Sequence, residues 1–299
     1  MTLSSGNVNK ILWSELLPFE FKQRLSEVPL VFLPLGICEP HGQISALGLD
    51  TLKAEWLGIE AAKRVGGIVA PTLGYHIHES GYHARWLEDA VGEENAHMTA
   101  MPPHIMLPFF LYQLRAFANA GFRAIIAISG HSGGNQFDLR KVAEAFSLET
   151  GVPVLALSDP ELVEGLYEGD HAGKYEISQL LYLRPDLVDF SQLNRQNLEG
   201  SGGRLALGDD ALEASSALGD KIMHACLDEM CRLTLEISSR ISFSQEDSLT
   251  NQLISYERIE QIWHRLQSEG QWRTNQPNPG QMPVSEHSRW KPFEQVKGK

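Results

Sequence analysis

The chain has 299 residues, 42% of them hydrophobic and 21% charged, the make-up of a globular protein with one large or two small domains. Its formal net charge of −13, from 25 basic against 38 acidic residues, disfavours nucleic acid as a partner. Three cysteines with no C-x-x-C spacing argue against a disulfide framework and for a reducing, cytoplasmic setting.

Residues 1–30 lack the basic start and long apolar core of a signal peptide, so none is expected. Residues 14–27 carry a mixed helical pattern. PLVFLPLG (29–36) is a short apolar run closed by glycine, a buried strand by its length. Leu52, Trp56, Ile59, Ala62 and Val65 recur at helical spacing across 51–65. GGIVAPTLG (66–74) reads as a second strand, and a loop rich in His, Gly and acidic residues is expected over 75–101. Pro102 and Pro103 open a long helix to about Ala120, closed by Gly121. Pro108, Gln113, Arg115 and Asn119 interrupt its apolar run, so it predicts a buried helix and not a membrane span.

RAIIAIS (123–129) is a third strand, 135–149 a helix and VPVLALS (152–158) a fourth strand. A helix over 172–183 stops before Pro185. Residues 200–210 are Gly-rich and read as a loop, and helices are expected over roughly 211–239 and 251–269. The tail 270–299 is expected to wrap the surface or stay mobile. This alternation predicts an α/β fold with a mostly parallel sheet covered by helices. Sites in such sheets form past the carboxyl ends of the strands, here the loops after Gly36, Gly74, Ser129 and Ser158.

The first of these loops holds Glu39 and His41, two residues apart, which an extended backbone aims to one side. Asp50 follows at the start of a helix. A carboxylate, an imidazole and a bridging carboxylate are the ligands that a pair of divalent cations needs. Taken alone, Asp50 could equally be a helix N-cap. The loop after the third strand, SGHSGGN (129–135), supports two readings. Gly130-His131-Ser132-Gly133-Gly134 fits the G-x-S-x-G elbow of a serine hydrolase, with Ser132 as nucleophile. Alternatively His131 holds a metal and the glycines leave room for it. The serine reading needs an acid and a histidine downstream, yet His171 is close and His224 sits inside a predicted helix. It also leaves Glu39, Asp50 and Glu176 unused, so His131 is favoured. EGDHAGKYEIS adds Asp170, His171 and Glu176. His78 and His83, in the 75–101 loop, and Ser132 are candidates to touch substrate.

Together LPLGICEPHGQISALGLDT, ISGHSGGN and DHAGKYEISQLLYLRPDLV resemble the creatininase (creatinine amidohydrolase) family. The resemblance covers about 10–190, continues weakly over 208–222, and leaves 240–299 as an extension. It implies a three-layer α/β/α, Rossmann-like fold over 1–239, with 240–299 a helical extension and tail. It also implies a homo-oligomer, often a hexamer, with two divalent metal ions (Zn, Mn or Fe) at the carboxyl edge of the sheet. Carried over by motif, the metal ligands are Glu39, His41, Asp50 and His131, and the catalytic residue is His171, with Asp170 expected to orient it. Creatinine-cleaving members place a ligand glutamate where this chain has Gly133, and Glu176 of H-A-G-x-x-E then serves. Lys174 departs from an often acidic position, and the tryptophans expected around a creatinine ring are not evident in 152–176. The implied activity is hydrolysis of a non-peptide C–N bond in a small amide, cyclic or formamide-like. A family member retained only as a binding or assembly protein would have lost ligands, and here the set is otherwise complete.

Overall fold

The structure is a computed structural model that describes residues 10–92, 95–196, 206–239 and 253–288. In chain order it comprises α1 (Pro18–Glu27), β1 (Leu30–Leu35), α2 (Leu49–Val65), β2 (Ile68–Val69), β3 (His76–Ile77), α3 (Gly81–Ala90), β4 (Ala100–Met101) and α4 (Pro103–Asn119). Then follow β5 (Ala124–Ser129), α5 (Asn135–Thr150), β6 (Val154–Ser158), α6 (Asp159–Leu162), α7 (Lys174–Leu183), α8 (Ser216–Ser239) and α9 (Tyr256–Glu269). A four-stranded parallel sheet runs in the order β2-β1-β5-β6, and β3 pairs with β4 as a separate parallel ribbon.

The strands read as continuous apolar runs because both faces of the sheet are covered. Val31, Leu33 and Leu35 of β1 and Ile125 and Ala127 of β5 face α4, α5 and α9. The alternate residues Leu30, Phe32, Ala124, Ile126 and Ile128 face α2 and α8. This period-two partition is the three-layer α/β/α architecture. The predicted strand at 66–74 shrinks to Ile68–Val69 plus a single bridge at Leu73. The segment 75–101 is not the simple loop that its composition suggested. It contains β3, β4 and the helix α3, whose Ala84, Leu87 and Ala90 bury a small satellite core. The predicted 251–269 helix begins at Tyr256, residues 251 and 252 lying outside the described residues. Ile259, Ile262, Trp263 and Leu266 of α9 join the same core as α4 and α5. Among the described residues, no helix is long and apolar enough to cross a membrane.

Candidate metal centre

Two glycines bring the first turn of α2 against the ends of two strands. A Cβ on Gly36, after β1, would lie 2.6 Å from the Thr51 backbone, and one on Gly130, after β5, would lie 2.0 Å from the Asp50 carbonyl oxygen. Only glycine allows this approach. The contact sets the Asp50 side chain between the loop after β1, which carries Glu39 and His41, and His131 after β5. Asp50 is inside α2 and caps nothing: the N-cap is Gly48, and no side-chain cap bond is made.

Glu176 arrives from the first turn of α7. A left-handed residue, Ala172 (φ 51°), separates His171 from the helix, which starts at Lys174. Glu176 Oε2 accepts the Ala172 N–H at 2.8 Å, and Oε1 accepts Lys53 Nζ at 2.7 Å.

The resulting distances are those of ligands around shared ions. His131 Nδ1 lies 2.8 Å from Glu39 Oε1 and 3.4 Å from Asp50 Oδ2. His41 Nε2 lies 3.3 Å from both Asp50 Oδ1 and Glu176 Oε2. Donors ~2.1 Å from one cation are ~3.0 Å apart at right angles and ~3.4 Å apart in a tetrahedron. Glu39, Asp50 and His131 form one ligand-capable group, and His41, Asp50 and Glu176 form a second, with Asp50 common to both. Both Asp50 oxygens and His41 Nε2 are buried and take part in no hydrogen bond. Buried polar atoms are rarely left so, and each of these is a potential ligand atom.

Electrostatics agrees with that fit. Burial pushes the Glu39 carboxyl up, but His131 and His78 beside it hold it well below its ordinary range. Burial pushes His131 down, yet Glu39 and Asp50 outweigh it and raise its pKa to about 10. His41 is likewise held well above its usual value, against burial, by Asp50 and Glu176. Three buried carboxylates thus draw positive charge into the cluster, and divalent cations meet that demand without protons. His131 Nε2 bonds the Ile77 carbonyl at 3.2 Å, which leaves Nδ1 turned to the carboxylates.

The other residues expected at the site divide. His171 is half-buried, stacks on His41 with ring centroids 4.9 Å apart, and places Nε2 3.0 Å from the Pro40 carbonyl. Burial lowers its pKa, which favours the neutral imidazole. Among the described residues no hydrogen bond joins Asp170 to His171. The Asp170 carboxylate instead accepts the N–H groups of Gly173, Tyr175 and Glu176 and caps α7. His78 places Nε2 3.1 Å from Glu39 Oε2 and accepts the Glu79 N–H on Nδ1, so both its nitrogens are engaged within the protein. His83 lines the pocket with Nδ1 unpartnered, and its Nε2 lies 2.5 Å from where a Cβ on Gly133 would sit. The imidazole of His83 therefore fills the space beside Gly133 (φ 112°). Ser132 lines the pocket too, but among the described residues no histidine is hydrogen-bonded to its hydroxyl, so no triad forms around it.

Sequence reasoning missed five contributors. Lys53, fully buried on α2, pairs with Glu176 and lies 3.3 Å from Asp159 and 3.8 Å from Asp50. Its spacing of three from Asp50 was the one available signal. Trp86 of α3 stands edge-on to His171 at 4.8 Å, and Tyr82 lines the same cavity, a pocket of about 370 Å³. Asn278 and Gln281 also line it.

Among known proteins, this chain is 26% identical over 206 residues to the creatinine amidohydrolase of Pseudomonas putida, an alignment spanning 62% of this chain and 75% of that one. It is 24% identical over 139 residues to the 3-dehydro-scyllo-inosose hydrolase of Thermotoga maritima, which covers 46% of this chain and 41% of the relative. A solved creatinine amidohydrolase superposes with a TM-score of 0.63 at 21% identity, over 76% of this chain and 98% of that one. A creatininase described as a Mn form gives 0.63 at 20% identity, and a variant described as a Zn–Zn form gives 0.61 at 22%, each over 76% of this chain and 98% of its own. The family profile described as "Creatininase: Creatinine amidohydrolase" matches residues 14–234, a span that includes every residue of the carboxylate–histidine cluster, and the chain belongs to the creatininase family.

Proposed function

We propose that this protein is a metal-dependent amidohydrolase that cleaves a non-peptide C–N bond in a small polar amide, cyclic or formamide-like. The observation that carries the reading is the pair of ligand groups sharing Asp50 beside an open pocket. Glu39, Asp50 and His131 would hold one divalent cation, and His41, Asp50 and Glu176 a second. The mixed nitrogen and oxygen donors suit zinc, manganese or iron. Such a pair supplies Lewis acidity to an amide carbonyl and acidifies a water molecule.

The remaining steps belong to the chain's own side chains. An amide resists hydrolysis because its amine is a poor leaving group. His171, whose pKa burial lowers, lines the pocket and is fixed by His41, Trp86 and the Pro40 carbonyl. It takes the proton released as water adds to the carbonyl and passes it to the departing nitrogen, a role worth ~10²–10⁴-fold. Lys53 and the Ala172 N–H fix both oxygens of Glu176, so its position does not depend on the cation. His78 steadies Glu39 in the same way. His83 and Ser132 are left as polar groups facing substrate, and Trp86 and Tyr82 give it an aromatic wall. That wall comes from α3, not from 152–176, so the substrate need not be creatinine.

The test is a screen of lactams and formamides with metal-replete, full-length protein. The account expects turnover that a chelator abolishes and a serine-directed acylating reagent spares. Turnover that survives chelation but dies with the acylating reagent would instead establish Ser132 as the nucleophile.

A further inference from the structure

Residues 235–299 lie beyond the family match, yet part of this stretch reaches the pocket. After α9 the chain turns back as a strap over 273–281. Its anchor is Asp138, a buried acid on α5 (2% exposed). Asp138 accepts the Arg273 N–H at 2.8 Å, the Thr274 N–H at 2.9 Å and the Thr274 hydroxyl at 2.5 Å. On the other side, the Thr274 carbonyl accepts Ser80 Oγ at 3.1 Å. A Cβ on Gly81 would lie 2.3 Å from that same carbonyl, so α3 and the strap meet backbone to backbone. Gln281 Nε2 donates to the Tyr82 carbonyl at 3.1 Å, and the Arg273 guanidinium packs 4.9 Å from the Tyr82 ring centre. Asn278 and Gln281 then stand on the rim of the cavity that holds His171, Glu176 and Trp86. Asn278 Oδ1 is held by Arg273, and Gln281 Oε1 accepts the Asn278 N–H at 3.0 Å.

We propose that this strap is the specificity element of the site: a fixed outer wall that admits small polar amides to the carboxylate–histidine cluster and keeps extended peptides out. The inference rests on the metal-centre reading above. A wall works by bulk and position. The strap is held by a buried carboxylate with three bonds and by contact with α3, so it stays in place when a ligand enters. A peptide continuing past the reacting amide would have to displace it.

The experiment uses zinc-loaded, full-length protein and two metal-directed probes, acetohydroxamate and the hydroxamate of tri-alanine, titrated by calorimetry. The wild-type chain should bind acetohydroxamate and bind the tripeptide probe at least about tenfold more weakly. Asp138→Ala removes the anchor. Thr274→Val removes one of its bonds and serves if the first variant does not fold. Either should tighten the tripeptide probe by about tenfold or more while acetohydroxamate stays within about threefold. Equal discrimination in the wild type and both folded variants, at normal zinc content, overturns the strap's role and leaves the metal centre standing. A wild-type chain that takes up no zinc overturns both.

Discussion

Asp50 shows how much one residue's meaning depends on what is pressed against it. From the sequence it was either a bridging ligand or a helix cap, and no pattern within α2 distinguishes the two. Support for the ligand reading comes from Gly36 and Gly130, whose missing side chains let two strand ends close on the Asp50–Thr51 backbone. Glu39, His41 and His131 were legible because strand ends in a parallel sheet announce themselves as apolar runs ending in glycine or serine. Lys53 was not legible, since a lysine among apolar residues on a helix usually extends its amine to water. The charge state of the cluster gives a residue-level prediction. In metal-free protein His131 has a pKa near 10 against an ordinary 6.5, raised by Glu39 and Asp50 despite burial. A raised pKa contributes stability that is complete below about 6.5 and disappears as pH climbs through 10. The melting temperature of metal-free protein should therefore fall steadily from pH 6.5 to 10. Metal-loaded protein should lose much less over that range, because its cations replace the protons. Parallel pH profiles that do not differ would contradict the coupling.

At the scale of elements, α3 and α7 carry the lesson. The segment 75–101 read as a loop because its glycines and histidines mask the spacing of Ala84, Leu87 and Ala90. Histidines count as polar in a periodicity argument, but here His83 is buried against Gly133, which only the folded chain brings near. In α7 the sequence located the helix but not the backbone groups that the Asp170 carboxylate binds. Three backbone N–H groups converge on its carboxylate, which makes it the cap that fixes where the helix begins. Glu176 lies in the first turn and gives one of those N–H groups, so the cap also positions that carboxylate. Asp170→Ala should cost about 1 kcal/mol of stability, the usual value of such a cap. It should also weaken one of the two metal positions, while Asp170→Asn, which keeps an acceptor, should retain more of both. Denaturation midpoints and metal content of the two variants check this. Normal metal content in Asp170→Ala would return Asp170 to a purely local role.

For the whole molecule, the three-layer plan was readable because a sheet covered on both faces leaves no polar alternation in its strands. The extension was harder to place. Its helix was visible from periodicity, but nothing local says that Ile262 and Trp263 complete the core over α4 and α5, or that the following strap reaches the site. Those contacts are long-range and leave only apolar and polar residues of ordinary type in the sequence. Trp263 is nearly buried and stacks on Trp272 at 5.8 Å. Trp263→Ala should cost roughly 3–5 kcal/mol, as removal of a core indole does. A loss below about 1 kcal/mol would mean that α9 is not integral to the fold. The central claim is that Asp50 is shared by two cation positions, and metal per chain measures it most directly. Elemental analysis of full-length protein purified without chelator and loaded with zinc should give two ions per chain, one for each of the groups that share Asp50. Asp50→Ala should give close to none, because both groups lose a ligand at once. A wild-type chain without metal, or an Asp50→Ala chain with its full complement, would contradict the account.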